Sequence, residues 1–187
     1  MDNPRSAKYA VCCGVPVVRL LIDGKHKNVS NKELRSAAHY YARQLFTKQT
    51  NKKLTVTIEF DNIGAPEDNG FCEYADRKDR PRAFVIGIRR NLSRSTALKT
   101  LAHEMVHAWQ YARGHLYDLE MGNGVEGTKW RGRKFSSNST NYWDAPWEID
   151  AFGREVGLYH RYATWKWLRG EYVKRRKAAE KRLRSKR

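Results

Sequence analysis

The stretch LAHEMVHAWQYARG, Leu101 to Gly114, puts two histidines and a glutamate into a segment otherwise built to be a buried helix. His103 and His107 stand four residues apart, so on a helix their imidazoles lie one above the other on the same face. Two neutral imidazole nitrogens at that separation can reach one zinc ion. Glu104 follows the first histidine directly, beside the metal but off the ligand face, where its carboxylate can act on water held there. The segment carries its own start signal: Ser93, Ser95 and Thr96 offer capping hydroxyls. Leu98, Leu101, Ala102 and Met105 fall at core-facing spacing, which sets the HExxH motif in mid-helix.

A chain of 187 residues is long enough for one domain with a proper core, and 40% hydrophobic content makes it globular. No run of 18 apolar residues occurs, so no membrane span is expected. The N-terminal run Ala10 to Ile22 is broken by Pro16 and Arg19 and lacks a small-residue cleavage site, so it predicts a buried strand, not a leader. Cys12, Cys13 and Cys72 form neither a CxxC pair nor an even-numbered framework, and predict reduced thiols in a cytoplasmic protein.

Helical spacing runs from Asn31 to Thr47, with Leu34, Ala37, Ala38, Tyr41, Ala42 and Leu45 on one stripe and Ser30 or Asn31 as cap. KLTVTIEF, Lys53 to Phe60, alternates as a half-buried strand does. The turn-forming DNIGAPEDNG separates it from two further strands, FCEYAD and RAFVIGIRR. Arg82, Arg89 and Arg90 flank the last of these and predict an edge strand, one that could hold an extended substrate by strand addition. After the HExxH helix, a Gly-, Ser- and Asn-rich loop is expected from Gly114 to Ala145. A second long helix starts near Pro146, with Ile149, Phe152, Val156, Tyr159, Ala163 and Trp167 as its expected buried stripe. This order predicts an α+β domain, a small three- or four-stranded sheet packed on an HExxH helix and a glutamate-bearing helix. The catalytic domain is expected over 1–168, with a basic helical tail over 169–187.

Two histidines leave a catalytic zinc one protein ligand short. Downstream candidates are His115, Glu120, Glu126, Glu148, Asp150, Glu155 and His160. The metzincin pattern is excluded, because Gln110 and Arg113 stand where it needs glycine and histidine. His115 requires a turn at Gly114 to bring it back to the metal. Glu148, in the first turn of the second long helix, is flanked by Trp147 and Ile149, which call for burial. On the residues alone, both His115 and Glu148 stay open.

HEMVHAWQYARG, KWRGRKF and YWDAPWEIDAFGRE, taken in order, resemble the small metallopeptidases often encoded by bacteriophages, which are similar to SprT-like and minimal gluzincin peptidases. The resemblance covers about Leu54 to Tyr159. It implies a zincin-like catalytic domain, one zinc ion held by His103, His107 and Glu148, and Glu104 as general base. The chain departs from SprT in lacking its third histidine and any CxxC pair. It departs from larger gluzincins in having Phe152 four residues after Glu148, where they carry an aspartate. The group that orients the ligand histidines is therefore left open, and Tyr142 and His160 are the candidates for stabilising an oxyanion.

Charge is the second strong feature. The chain has a net charge of +17, and residues 161–187 hold 12 Lys/Arg against Glu171 and Glu180. Lys174, Arg175, Arg176, Lys177, Lys181, Arg182 and Arg184, with Trp165, Trp167 and Tyr172 just before them, suit nucleic acid or another polyanion. Two functions follow as expectations: zinc-dependent hydrolysis of a protein or peptide, acting near nucleic acid, or a non-catalytic nucleic-acid-binding or virion structural protein that retains a zincin fold.

Overall fold

The computed structural model describes residues 18–61, 69–76, 79–121 and 124–184. Cys12, Cys13 and most of the N-terminal apolar run lie outside the described residues, as does most of the turn after Asp61. The expected N-terminal strand is seen over its last part, β1 (Arg19–Ile22). Ser30 caps α1 (Asn31–Leu45) by accepting a hydrogen bond from the Glu33 N–H, and the expected stripe Leu34, Ala37, Ala38, Tyr41 and Ala42 is buried. A short helix, α2 (Lys48–Lys53), takes up the start of KLTVTIEF, so β2 (Thr55–Asp61) begins two residues later than its alternation suggests.

The main sheet also contains β3 (Gly70–Tyr74) and β4 (Ala83–Arg89). Its order is β1-β2-β4-β3, with β1, β2 and β4 parallel and β3 antiparallel to β4. The flanking arginines misplace β4: it is an interior strand, paired on both sides, and Phe84, Ile86 and Ile88 are buried. Arg82 marks the end of the strand, not its edge. Its guanidinium donates to the carbonyls of Arg80, Pro81 and Ala112, tying the sheet to the end of the HExxH helix. Among the described residues the edge strands are β1 and β3, and β3 is the one that packs against the HExxH helix.

The HExxH helix, α3 (Arg94–Ala112), opens on Ser93, whose hydroxyl accepts from the Thr96 N–H. It is enclosed by β3 and β4, by α1 and by the last helix, so it is buried on most of its circumference. Leu98, Leu101, Ala102 and Met105 are fully buried as their spacing predicts. Tyr41 on α1 donates its hydroxyl to the Leu98 carbonyl and pins the two helices together.

The segment 114–145 is not a loop. It folds into a second, antiparallel sheet of β5 (Leu116–Glu120), β6 (Glu126–Trp130) and β7 (Arg133–Ser136). Arg131 and Gly132, both at positive φ, make a two-residue hairpin turn between β6 and β7. A single 3-10 turn, Tyr142–Asp144, leads into α4 (Pro146–Arg184). That helix runs unbroken through Leu168, with no change of structure where the basic tail begins.

The buried face of α4 also differs from expectation. Glu148, Ala151, Leu158 and Tyr162 are buried, whereas Ile149, Phe152, Val156, Ala163 and Trp167 are exposed. The real stripe is displaced by about one residue, and it contains acids where the sequence pattern favours the most apolar spacing. Trp165 belongs to the core as well, packed against Tyr40 and Tyr162, and so is not free to stack on a ligand. The architecture is α+β, a four-stranded mixed sheet packed on helices. No described helix is long and apolar enough to cross a membrane.

Candidate metal centre

Among the described residues the buried polar side chains concentrate where α3 meets the start of α4: His103, Glu104, His107, Gln110 and Glu148. The contact follows from two local features. Ser93 fixes where α3 begins and hence which face carries residues 103 and 107. Pro146 opens α4 so that Glu148 falls in its first turn, pointing at that face.

Three donor atoms converge. His103 Nε2 and His107 Nε2 are 3.0 Å apart, and Glu148 Oε2 is 3.2 Å from the first and 3.4 Å from the second. Zinc bonds of 2.0–2.1 Å in tetrahedral geometry put ligand atoms about 3.3–3.4 Å apart, so this spacing is within about 0.3 Å of a tetrahedral triad.

The rest of the network fixes the tautomers. Gln110 is fully buried, and its Nε2 donates to the Trp147 carbonyl and to Asp150 Oδ2, both pure acceptors. Its Oε1 therefore faces His107 Nδ1 at 2.9 Å, and that nitrogen must carry the proton. His103 Nδ1 lies 3.0 Å from Glu155 Oε2 and donates to that carboxylate. Both Nε2 atoms are thus left with lone pairs aimed at each other and at a carboxylate oxygen. Such a cluster needs a cation at its centre. These three residues could hold a metal ion.

The electrostatics agree. Burial opposes charge on His103, yet the carboxylates of Glu148 and Glu155 outweigh it and raise the imidazole to about 9. Burial likewise pushes Glu148 up, but the hydrogen bonds to both histidines win and hold it at about 2. Without a metal, a shared proton supplies the positive charge the donors demand.

Glu155 answers the question the sequence left open. It lies seven residues after Glu148, two helical turns on, so the two carboxylates share a face and reach opposite nitrogens of the His103 ring. Phe152, at the position where larger gluzincins carry aspartate, instead packs its ring edge-on to His103, with centroids 4.6 Å apart. The i, i+7 spacing of Glu148 and Glu155 is visible in the sequence. Gln110 has no such signal, because nothing marks it as more than a polar residue on a buried helix. Supporting groups of this kind hold metal-ligand histidines to one tautomer, so Glu155→Ala and Gln110→Ala should each weaken metal binding about ten- to a hundredfold. Competition titration with a chromophoric chelator measures this, and unchanged affinity in both variants would remove them from the centre.

The other candidates go elsewhere. His115 sits between the indoles of Trp109 and Trp130, its buried Nδ1 without a hydrogen-bond partner, outside the triad. His160 is exposed against Tyr159 and does not line the cleft. Tyr142 does line it.

The triad opens on a cleft of roughly 280 Å³, walled by Gly70, Phe71 and Cys72 of β3 and by Tyr142 and Trp147. Glu104 lines the same cleft, and burial raises its carboxyl above the usual range despite the two histidines beside it. Gly70 is what lets β3 approach so closely. A Cβ there would meet Thr100 Cγ2 at 2.5 Å, the Gly87 carbonyl oxygen at 2.8 Å and Glu104 Oε1 at 3.1 Å. Cys72, a free cysteine in this wall, has its thiol pushed up by burial and by Glu104.

Compared with protein-family models, with curated proteins and with solved structures, the chain has no match.

Proposed function

We propose that this protein is a zinc-dependent peptidase of zincin type, with His103, His107 and Glu148 holding the metal and Glu104 as general base. The observation that carries the reading is the convergence of three buried donor atoms, His103 Nε2, His107 Nε2 and Glu148 Oε2, within 3.0–3.4 Å of one another, with a fourth carboxylate, outside the triad, in the same cleft. The resemblance of the three sequence motifs to small phage-type and SprT-like peptidases supports it. A zinc ion there would supply Lewis-acid chemistry, polarising a carbonyl and making water more acidic.

The chain's own residues supply the rest. Glu104 accepts a proton from water at its carboxylate and later gives it to the leaving amine; its raised carboxyl brings it nearer the pH at which such transfers are efficient. Glu155 and Gln110 take the Nδ1 protons of the two histidines and so turn both Nε2 atoms toward the metal position. Among the described residues β3 is an edge strand and borders the cleft, so it is this strand, and not the AFVIGI strand, that would hold an extended peptide by main-chain hydrogen bonds. Tyr142, on the cleft wall, is the candidate donor to an oxyanion. The deciding experiment is proteolysis of an unfolded substrate such as reduced casein by wild type and Glu104→Gln at matched zinc content.

The non-catalytic reading would make the exposed cations of α4 the whole function. We assign them an accessory role instead, as a polyanion-binding element that brings the peptidase to protein on nucleic acid. Lys174, Arg175, Arg176, Lys177, Lys181 and Arg184 are exposed, as are Trp167 and Tyr172, while the Arg182 side chain lies outside the described ones. Lys174 pairs with Glu171 and Arg176 with Glu180, so part of the charge is answered within the helix. Changing Lys174, Arg175, Arg176, Lys177 and Lys181 to glutamine should flatten the salt dependence of DNA binding, by a log–log slope of about 0.7 to 0.9 for each phosphate that is no longer neutralised. Gel-shift titrations at several salt concentrations read this, and an unchanged slope would show the tail to be only a solvated end.

A further inference from the structure

Tyr142 and Trp143 form the 3-10 turn that precedes α4, and Asn141 holds the turn by accepting from the Trp143 N–H at 3.0 Å. The Trp143 indole is 68% exposed, yet it is not loose: it stacks on Phe152, centroids 5.5 Å apart and planes 26° from parallel. Tyr142 meets Trp143 edge-on at 5.3 Å and Phe152 at 6.4 Å. Phe152 in turn rests on the ring of His103. A chain of ring contacts thus runs from a candidate metal ligand out to solvent, and one of its members, Tyr142, is part of the cleft wall.

This patch adjoins the apolar face of α4 that the sequence pattern favours for burial and that is left in solvent. Ile149, Phe152 and Val156 are spaced i, i+3 and i+7 on one face, and all three are exposed. A protein gains by burying such groups, and contiguous apolar surface beside a cleft marks a binding surface. The cleft is polar at its floor, where the triad and Glu104 lie, but its walls carry Phe71, Leu116 and Trp147, and through Tyr142 the exposed rings of Trp143 and Phe152 extend this apolar wall to the rim. The occupant that fits is one bulky apolar side chain of a peptide whose main chain crosses the cleft, since the rings are continuous with the cleft wall and rigidly stacked, which lowers the cost of ordering them on binding.

We propose that Trp143 and Phe152, with Tyr142 at the cleft wall, form a subsite for an aromatic or large aliphatic side chain of the peptide substrate, next to the bond to be cleaved. This rests on the peptidase reading of the cleft, and the test separates the two. Zinc-loaded Glu104→Gln protein is titrated with two fluorescein-labelled ten-residue peptides of Gly, Ser and Thr, identical except for a central Phe or Ser, and binding is read by anisotropy. The Phe peptide should bind about tenfold more tightly, the free energy of burying much of one such side chain. Trp143→Ser, on an exposed ring, should cut that preference to less than about threefold with zinc content and melting temperature unchanged; Phe152→Ser should do the same and is checked for zinc because it touches His103. Equal affinities, or a preference that survives Trp143→Ser, would overturn the subsite. So would a dimer that Trp143→Ser dissolves with no peptide preference, because the surface would then serve a second copy. An apolar preference in binding without any casein cleavage by the wild type would keep the subsite and sink the peptidase reading.

Discussion

Glu104→Gln should leave zinc content and the thermal melt at wild-type values while cutting proteolysis of an unfolded substrate by about 10² to 10⁴, the contribution expected of a general base. The size follows from its place. Glu104 is buried in the cleft wall but is not one of the three converging donors, so the amide fits the same space and removes only the proton acceptor. Gly70 adds a check on geometry. Gly70→Ala would drive a methyl group into Thr100 and the Gly87 carbonyl and toward Glu104, so β3 must shift; it should lower both turnover and melting temperature while the triad, which it does not touch, still binds zinc. Zinc lost together with activity in Glu104→Gln would make it a ligand instead of a base.

The second large effect is on stability, and its size depends on pH. In the metal-free protein His103 is raised to about 9, above its ordinary 6.5. Its charged form therefore stabilises the fold fully below about pH 6.5, and that contribution is lost as pH rises through about 9. Glu148 acts in the other direction: held at about 2, it stabilises above about pH 4.5 and loses this as pH falls toward 2. A metal competes with the proton for His103 Nε2, so its affinity grows over the window in which the metal-free protein weakens. The gap in melting temperature between zinc-loaded and chelator-treated protein should thus widen from pH 6.5 to pH 9. At zinc a hundredfold above its Kd the ion adds about 2.7 kcal/mol, which is about 5–10 °C for a chain of this size. His103→Ala, His107→Ala and Glu148→Ala should abolish the gap. A gap of constant size across this pH range would show that metal and proton do not share a site.

The motif on α3 is legible in the sequence because helix geometry fixes where residues four apart must point, and burial of Leu98, Leu101 and Met105 orients the helix correctly. Glu148 is buried for a reason other than the one its neighbours suggest. Trp147 and Ile149 call for burial, but adjacent residues on a helix point about 100° apart, and Ile149 is 58% exposed. Glu148 is buried because its own face of α4 meets α3. The same geometry displaces the expected stripe: ranking faces by apolarity alone passes over one that carries Glu148 and Glu155 and selects the one left in solvent. Strand β4 reads as an edge because arginines at strand ends look like edge protection until their carbonyl partners are seen. The second sheet is hidden because short strands such as EGTKW and RKFS have little apolar alternation, and their pairing is set by a turn at Arg131 and Gly132 that lacks the usual Asn-Gly signature.

A metal centre made by α3 and α4 underlies the peptidase reading, and native mass spectrometry of the purified 187-residue chain tests it most directly. Wild type after dialysis against zinc should carry one ion per chain, and so should Glu104→Gln and His115→Ala, since neither residue belongs to the triad. His103→Ala with His107→Ala should carry none. A wild-type chain without zinc, or a double variant that keeps a full ion, would contradict it.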